Sequence, residues 1–250
     1  MSSGAAKSTL LLIRVPHDNT SNAAVFEEFL DNAHGLFEEQ IVSFEVLCLH
    51  QHIYLLLHCP HHLKDVLSGQ LYAKYPFAEI DEVPEYASVK ILENGLKFAG
   101  TELKLKRSDL YPFKTYKHFD KSSVASIFAT LAKAQSDEQV WIQFVATPGA
   151  EEGEFGFGKK MRLWWRGRMN SFDMSRFFRT KSRSEISVKE RKAAFEKAEK
   201  DAFIVTMRAV YFAQDEKMAA SKLHGIVKAY SQFTEPDLNA IIASGLYKNI

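Results

Sequence analysis

The 250 residues predict an α+β protein made of two ferredoxin-like β-α-β-β-α-β units, with mainly antiparallel sheets and a basic insertion interrupting the second unit. Three observations predict it. Short β-branched apolar runs alternate with stretches of helical period, the order strand, helix, strand, strand, helix, strand occurs twice, and one segment rich in Arg and Trp breaks the second copy.

In the first unit, residues 8–83, Ser8 to Pro16 holds the continuous run Leu10-Leu-Leu-Ile13, the pattern of a strand buried on both faces. Asn22 offers a helix cap, and Phe26, Phe29, Leu30, Ala33 and Phe37 recur at three- and four-residue steps, one face of a helix. Ile41 to His50 and Ile53 to Cys59 are close enough to form a hairpin. Pro60 suits a first helical position, and Leu63, Val66, Leu67, Leu71 and Tyr75 form a stripe that ends at Pro76. Ala78 to Val83 closes the unit. A connector over 84–101 follows, and the second unit spans 102–250 with its insertion at 149–200. There, Glu102 to Arg107 is a strand, Asp120 caps a helix carrying Val124, Ile127, Phe128, Leu131 and Ala132, and Gln139 to Thr147 is a strand whose hairpin partner is Phe203 to Phe212. Ala219, Leu223, Ile226, Val227 and Tyr230 mark the second helix, and Leu238 to Ala243 the last strand. Two such units are expected to lie side by side and cover each other's open sheet face.

Composition narrows the class. No apolar run approaches the roughly 20 residues that span a bilayer, and Met1 to Lys7 is too polar for a secretory signal. Two cysteines without a signal suit a reducing compartment, so a cytoplasmic location is expected. The net charge of +1 conceals opposite halves: residues 1–83 carry four Lys/Arg against eleven Asp/Glu, and the rest of the chain carries the surplus of cations.

Four segments invite chemistry. Cys48, His50, His52, His58, Cys59, His61 and His62 have the ligand types of a metal site. A hairpin turning near Gln51 pairs Cys48 near residues 54–55 and Cys59 near 43–44, about 13 Å apart along the strands. That distance excludes a shared tetrahedral ion or a disulfide, so no metal is expected. Gly153-Glu-Phe-Gly-Phe-Gly158-Lys159-Lys160 approaches a phosphate-binding loop, but Lys160 stands where a magnesium-holding hydroxyl belongs. An RNA-recognition surface on the first sheet would need exposed rings on the third strand, where Ile53-Tyr-Leu-Leu-Leu-His-Cys59 offers only Tyr54. The helix Lys189 to Lys200 reads as a solvated connector.

The insertion is the best functional candidate. Between Lys159 and Arg183 there are nine Lys/Arg and one acid, Asp173, interleaved with Trp164, Trp165, Phe172, Phe177 and Phe178. Lys159, Lys160, Arg162, Trp164, Trp165, Arg166, Arg168, Arg176 and Arg179 are the candidate contacts to DNA or to an anionic membrane surface. A loop that packs its rings on a neighbouring subunit fits the same composition. No acid, base and nucleophile converge, so neither an enzyme nor a cofactor is expected.

Val42-Ser-Phe-Glu-Val46, His62 to Val83, Glu102 to Phe119, Glu138 to Pro148 and Leu223 to Ile241 together resemble the amino-terminal region of type IV secretion and conjugative-transfer ATPases of the FtsK/HerA-like class. The resemblance implies a non-catalytic scaffold or oligomerisation module that precedes a nucleotide-driven motor at the cytoplasmic face of the membrane. It implies self-association or a motor ATPase as partner. No phosphate-binding loop of that motor lies within these residues, so the family's ATP-binding residues map to no position here.

Overall fold

The computed structural model describes residues 7–37, 40–87, 95–109, 111–118, 123–148, 190, 192–193, 196–197 and 202–248. In chain order the first unit contains β1 (Ser8–Arg14), α1 (Ala23–His34), β2 (Val42–Leu49), β3 (His52–Pro60), α2 (Lys64–Lys74) and β4 (Glu79–Val83). The second contains β5 (Lys97–Leu105), α3 (Ser123–Leu131), β6 (Gln139–Pro148), β7 (Phe203–Ala213), α4 (Glu216–Ala229), β8 (Ile241–Ala243) and a short β9 (Tyr247–Lys248). The duplicated β-α-β-β-α-β order is therefore present.

The strand order is β4-β1-β3-β2-β6-β7-β5-β8, every pairing antiparallel, with β9 also on β5. Each half has the same internal order, mirrored about the junction of β2 with β6. The units do not cover each other face to face as expected. They join edge to edge, because Val42 to Leu49 pairs residue for residue with Ala146 to Gln139. This join removes two edge strands at once, which an isolated unit would leave unpaired.

The helices α1 to α4 lie on one face. Leu11, Phe29, Ala33, Phe37, Val42, Leu57, Leu67 and Leu71 form the core under α1 and α2. Cys48, Ala99, Leu103, Ile127, Leu131, Val140, Ile142, Ala209, Leu223 and Ile226 form the core under α3 and α4. Val46 and Cys48 belong to a strand of the first unit yet pack into the second unit's core, so the two cores meet across the seam.

The local chemistry explains the boundaries. Asn22 accepts from the Ala24 amide at 2.9 Å, and Asp215 accepts from the Met218 amide at 2.9 Å, each closing a helix start. After Pro60 the chain makes a 3-10 turn over His61–Leu63 before α2 proper begins. The β2–β3 hairpin turns through His50 and Gln51, both left-handed at φ 49° and 63°, the backbone of a tight two-residue loop. β5 starts at Lys97, five residues before the expected Glu102 and inside the expected connector 84–101. Gly100 lies in this extra stretch, where an added Cβ would meet Val210 Cγ2 at 3.6 Å and the Ala209 carbonyl at 3.7 Å. The expected cap Asp120 lies outside the described residues. Among the described residues no helix is long and apolar enough to cross a membrane.

Candidate functional site: the helix-free face and the root of the insertion

Alternation along the strands sends half of the side chains to the face that carries no helix. There the first unit buries Leu10, Leu12, Leu47 and Leu56, packed with Leu49, Tyr54, Val83, Tyr86 and Trp141. A row runs across six strands in register: Leu12, Leu56, Glu45, Gln143, Arg208 and Glu102. It begins apolar and becomes polar at the seam between the units.

At that seam Glu45 is only 8% exposed. A carboxylate so placed requires donors. The Tyr86 hydroxyl donates to Glu45 Oε2, and the Gln143 amide donates to the Tyr86 oxygen at 3.0 Å and to Glu45 Oε1 at 3.4 Å. Burial, reinforced by the bond to Glu45, holds the Tyr86 phenol well above its ordinary pKa, so it stays a donor. Its ring meets Trp141 edge-on at 4.9 Å, Trp141 meets Phe212 at 4.6 Å, and Phe212 meets Phe98 at 6.1 Å. One residue earlier, Glu85 pairs with His58 Nε2 at 3.1 Å. Residues 84–87 thus strap the face at two points. Ser43, opposite His58 in the β2–β3 pairing, has a buried hydroxyl with no hydrogen-bond partner among the described residues.

Two further buried polar groups hold the second unit together. Glu138, 2% exposed, accepts from the Tyr211 hydroxyl at 2.6 Å and the Gln135 amide at 2.7 Å, with Lys222 Nζ at 3.4 Å. Asn239 joins the loop after β5 to the approach of β8 through both ends of its amide. Beside it, Arg107 lies 3.9 Å over the Tyr111 ring and pairs with Glu190 at 2.8 Å. Two described residues of the stretch Lys189 to Lys200, expected to be a solvated connector, are engaged by the second unit: Glu190 is 5% exposed, and Lys197 donates to the Asp109 carbonyl. The sign pattern alone hid this, because the partner Arg107 lies 83 residues away.

The sequence-derived contacts Lys159, Lys160, Arg162, Trp164, Trp165, Arg166, Arg168, Arg176 and Arg179 lie outside the described residues, as does the glycine loop Gly153 to Lys160. Their point of attachment is well defined. Pro148 and Phe203 are opposite each other at the end of the β6–β7 pairing, so the insertion leaves and returns at one place. Phe203 packs on Phe37 at 5.8 Å and on His34 at 4.9 Å, and His34 Nε2 donates to the Ala202 carbonyl at 2.9 Å. The start of β7 in the second unit is thereby braced on the end of α1 and the turn that follows it in the first.

The histidine and cysteine cluster is dispersed. Cys48 is opposite Ile53, and Cys59 follows His58, which is opposite Ser43. This places the thiols about 20 Å apart along the hairpin, farther than the expected 13 Å, and in different cores. The two-residue turn ends earlier than expected, which shifts the pairing. Among the described residues no group of three His, Cys, Asp or Glu could hold a metal ion. Burial, with the Glu82 charge second, pushes the Cys59 thiol from 9.0 up to about 11. A thiol with a raised folded-state pKa stabilises fully below its unfolded value and loses that contribution as pH climbs through the folded value. Unfolding free energy is thus expected to decline between about pH 9 and 11 by denaturant titration, with a shallower decline in Cys59→Ala. Equal slopes would dismiss Cys59 as the source.

Residues 15–244 fit the family described as Domain of unknown function (DUF8128). The chain belongs to that family. The matched span takes in nearly all of both units, so the DUF8128 domain includes the duplicated sheet and the insertion together. Comparison with the curated proteins gives no match. Among solved structures, aclacinomycin oxidoreductase aligns over 92% of the DUF8128 chain and 42% of its own, at 14% identity and TM-score 0.40. The flavoenzyme CrmK of caerulomycin biosynthesis aligns over 96% and 45%, at 10% identity and TM-score 0.40. The putative chlorite dismutase TA0507 aligns over 95% and 94%, at 8% identity and TM-score 0.21. The chain spans less than half the length of the first two proteins.

Proposed function

We propose that the chain is a non-catalytic scaffold and self-association module of a nucleotide-driven type IV secretion or conjugative-transfer motor, working at the cytoplasmic face of the membrane. The observation that carries this reading is the distribution of the segments that resemble such ATPases. Val42–Val46 lies on β2, 62–83 runs through α2 and β4, 102–119 begins in β5, 138–148 contains β6, and 223–241 runs from α4 into β8. They fall on the framework of both units. The buried polar groups Glu45, Glu138 and Asn239 likewise serve as struts between strands and loops. In its native cell the tagged, cross-linked chain is expected to bring down a subunit that hydrolyses ATP, and light scattering is expected to show an oligomer. A monomer whose cross-linked partners hydrolyse no ATP would refute the reading.

A second reading has an observation of its own. The segment 159–183 carries nine cations, and it lies in the sequence between Pro148 and Phe203, which are opposite each other at the end of the β6–β7 pairing. That arrangement supports an independent contact with an anionic polymer or surface.

A further inference from the structure

The two ends of the sheet carry opposite charge. Among the described residues, β4 closes one end and pairs only with β1, and β8 and β9 close the other and pair only with β5. α2 leads into β4 and α4 leads toward β8, so each is the outer helix of its unit. α2 and β4 carry Asp65, Glu79, Asp81 and Glu82 against Lys64 and Lys74. α4, β8 and β9 carry Lys217, Lys222, Lys228 and Lys248 against Glu216. The ion-pair partners of these residues do not even out the ends: Arg14 and Glu28 cancel at the first, and Glu138 offsets one cation at the second. One end is acidic and the other basic.

Both ends also leave apolar side chains in water. Phe77, in the turn between α2 and β4, is 83% exposed, and Tyr72 of α2 is 41% exposed. At the far end Leu246 is 53% and Tyr247 54% exposed, just before and within β9. Ion pairs fix the flanks of α2, since Lys64 reaches Glu82 of β4 and Lys74 reaches Glu28 of α1. At about 100° per residue, Tyr72 lies about 80° from Lys64, on the β4 side, and Val66 about 80° from Lys74, on the α1 side. On α4, Lys222 reaches Glu138 just before β6. Lys217 and Lys228 lie about 120–140° round from Lys222, on the side away from the seam.

We propose that these ends are the two halves of a head-to-tail interface between copies of the chain, with α2 and β4 of one copy set against α4, β8 and β9 of the next. The proposal gives a surface to the self-association of the first reading above and rests on that reading for its second copy. Charge selects the pairing. Joining two like ends would set acid on acid or cation on cation, whereas unlike ends match. Strand direction permits it, because eight strands in strict alternation leave β4 and β8 running in opposite directions. A second copy shifted along the sheet without being turned over therefore presents its β4 antiparallel to β8, with the helices still on one face. This is the edge-to-edge join by which β2 meets β6, repeated between chains. Such an interface leaves every pair with one acidic and one basic end free, so the assembly grows into a ring or an open helix.

Sedimentation velocity of the full chain tests this. The parent is expected to form species larger than a dimer as its concentration rises, and to dissociate as salt screens the charges. Tyr72→Ser with Phe77→Ser strips the acidic end of its rings, and Lys217→Glu with Lys228→Glu reverses the basic end. Each double variant is expected to associate at least about tenfold more weakly than the parent. Their unfolding midpoints are expected to match that of the dilute parent, because all four residues are exposed. An equal mixture of the two variants is expected to give a dimer and nothing larger, since it retains one intact acidic end and one intact basic end. Val66→Ser, exposed on the α1 flank, is expected to assemble like the parent. A parent that stays monomeric, a lysine variant that still pairs with itself, or a mixture that stays monomeric overturns the proposal. A chain whose variants all assemble like the parent dismisses these ends while leaving the self-association of the first reading in place. A monomeric parent whose cross-linked partner still hydrolyses ATP sinks the interface alone.

Discussion

Asn239→Asp is expected to destabilise the protein by about 4 kcal/mol at neutral pH, because the new carboxylate would face carbonyl oxygens where an amide now donates. Asn239 is 3% exposed. Its Nδ2 donates to the carbonyls of Ser108 at 3.0 Å and Tyr111 at 2.8 Å, and its Oδ1 accepts from the amides of Arg107 at 2.9 Å and Ala240 at 3.0 Å. A carboxylate keeps the two acceptor contacts and converts the two donor contacts into repulsions. Arg107 would relieve little, since its guanidinium is already engaged by Glu190 and by the carbonyls of Asp237 and Leu238. Burial beside carbonyls raises the folded-state pKa of the introduced acid. Its protonated form is therefore favoured, and the deficit relative to the parent shrinks as pH falls toward about 4. Paired urea titrations at pH 7 and near pH 4 check both statements. A loss below about 1 kcal/mol, or a loss that does not depend on pH, would show that the loops beside β8 do not depend on this amide.

The contrast between Asn239 and the helices shows where a sequence is readable. Asn22 and the stripe Phe26, Phe29, Leu30, Ala33 identify α1 because capping and helical period are local properties. The duplicated β-α-β-β-α-β order is legible for the same reason. Lys97 to Thr101 escaped because Ala99, Gly100 and Thr101 carry little hydrophobic signal; the stretch is a strand because β7 offers a partner from Ala213 to Ala209. The edge-to-edge join depends on Val42–Leu49 meeting Gln139–Ala146, almost a hundred residues onward, and no local period encodes it. Glu45, Tyr86 and Gln143 form one hydrogen-bonded set drawn from two strands and the connector, and each alone reads as an ordinary surface residue. Glu190 is hidden in the same way, because its local charge pattern is that of a solvated helix while its partner Arg107 is remote in the sequence. The candidate contacts of the insertion are legible as composition only, and what the structure adds is the pairing of Pro148 with Phe203, the residues that flank the segment.

Phe29→Ala is expected to cost about 4 kcal/mol, the usual consequence of emptying a fully buried aromatic site. Phe29 is completely buried, stacked on Phe26 at 5.6 Å and edge-on to Phe44 at 6.2 Å, and Phe44 belongs to β2. The consequence should not stop at the first unit. β2 is the strand on which β6 is laid, and its Val46 and Cys48 fill part of the second unit's core. Unfolding the first unit would expose the seam edge of β6 and remove both side chains, along with the bond from Cys48 Sγ to the Leu131 carbonyl at 3.4 Å. The second unit would retain its own pairings β6–β7 and β5–β7 but lose one wall of its core. The expected result is a single transition in which amides of β5 and β7 lose hydrogen-exchange protection by the same free energy as those of β1 and β3. Protection of β5 and β7 that stays at the parental level in Phe29→Ala would show two independently folding units, and the continuous sheet would then be an association of finished domains. A uniform loss would mean that the seam makes the duplicated halves one folding unit, so that force or binding energy applied at the root of the insertion is carried by both.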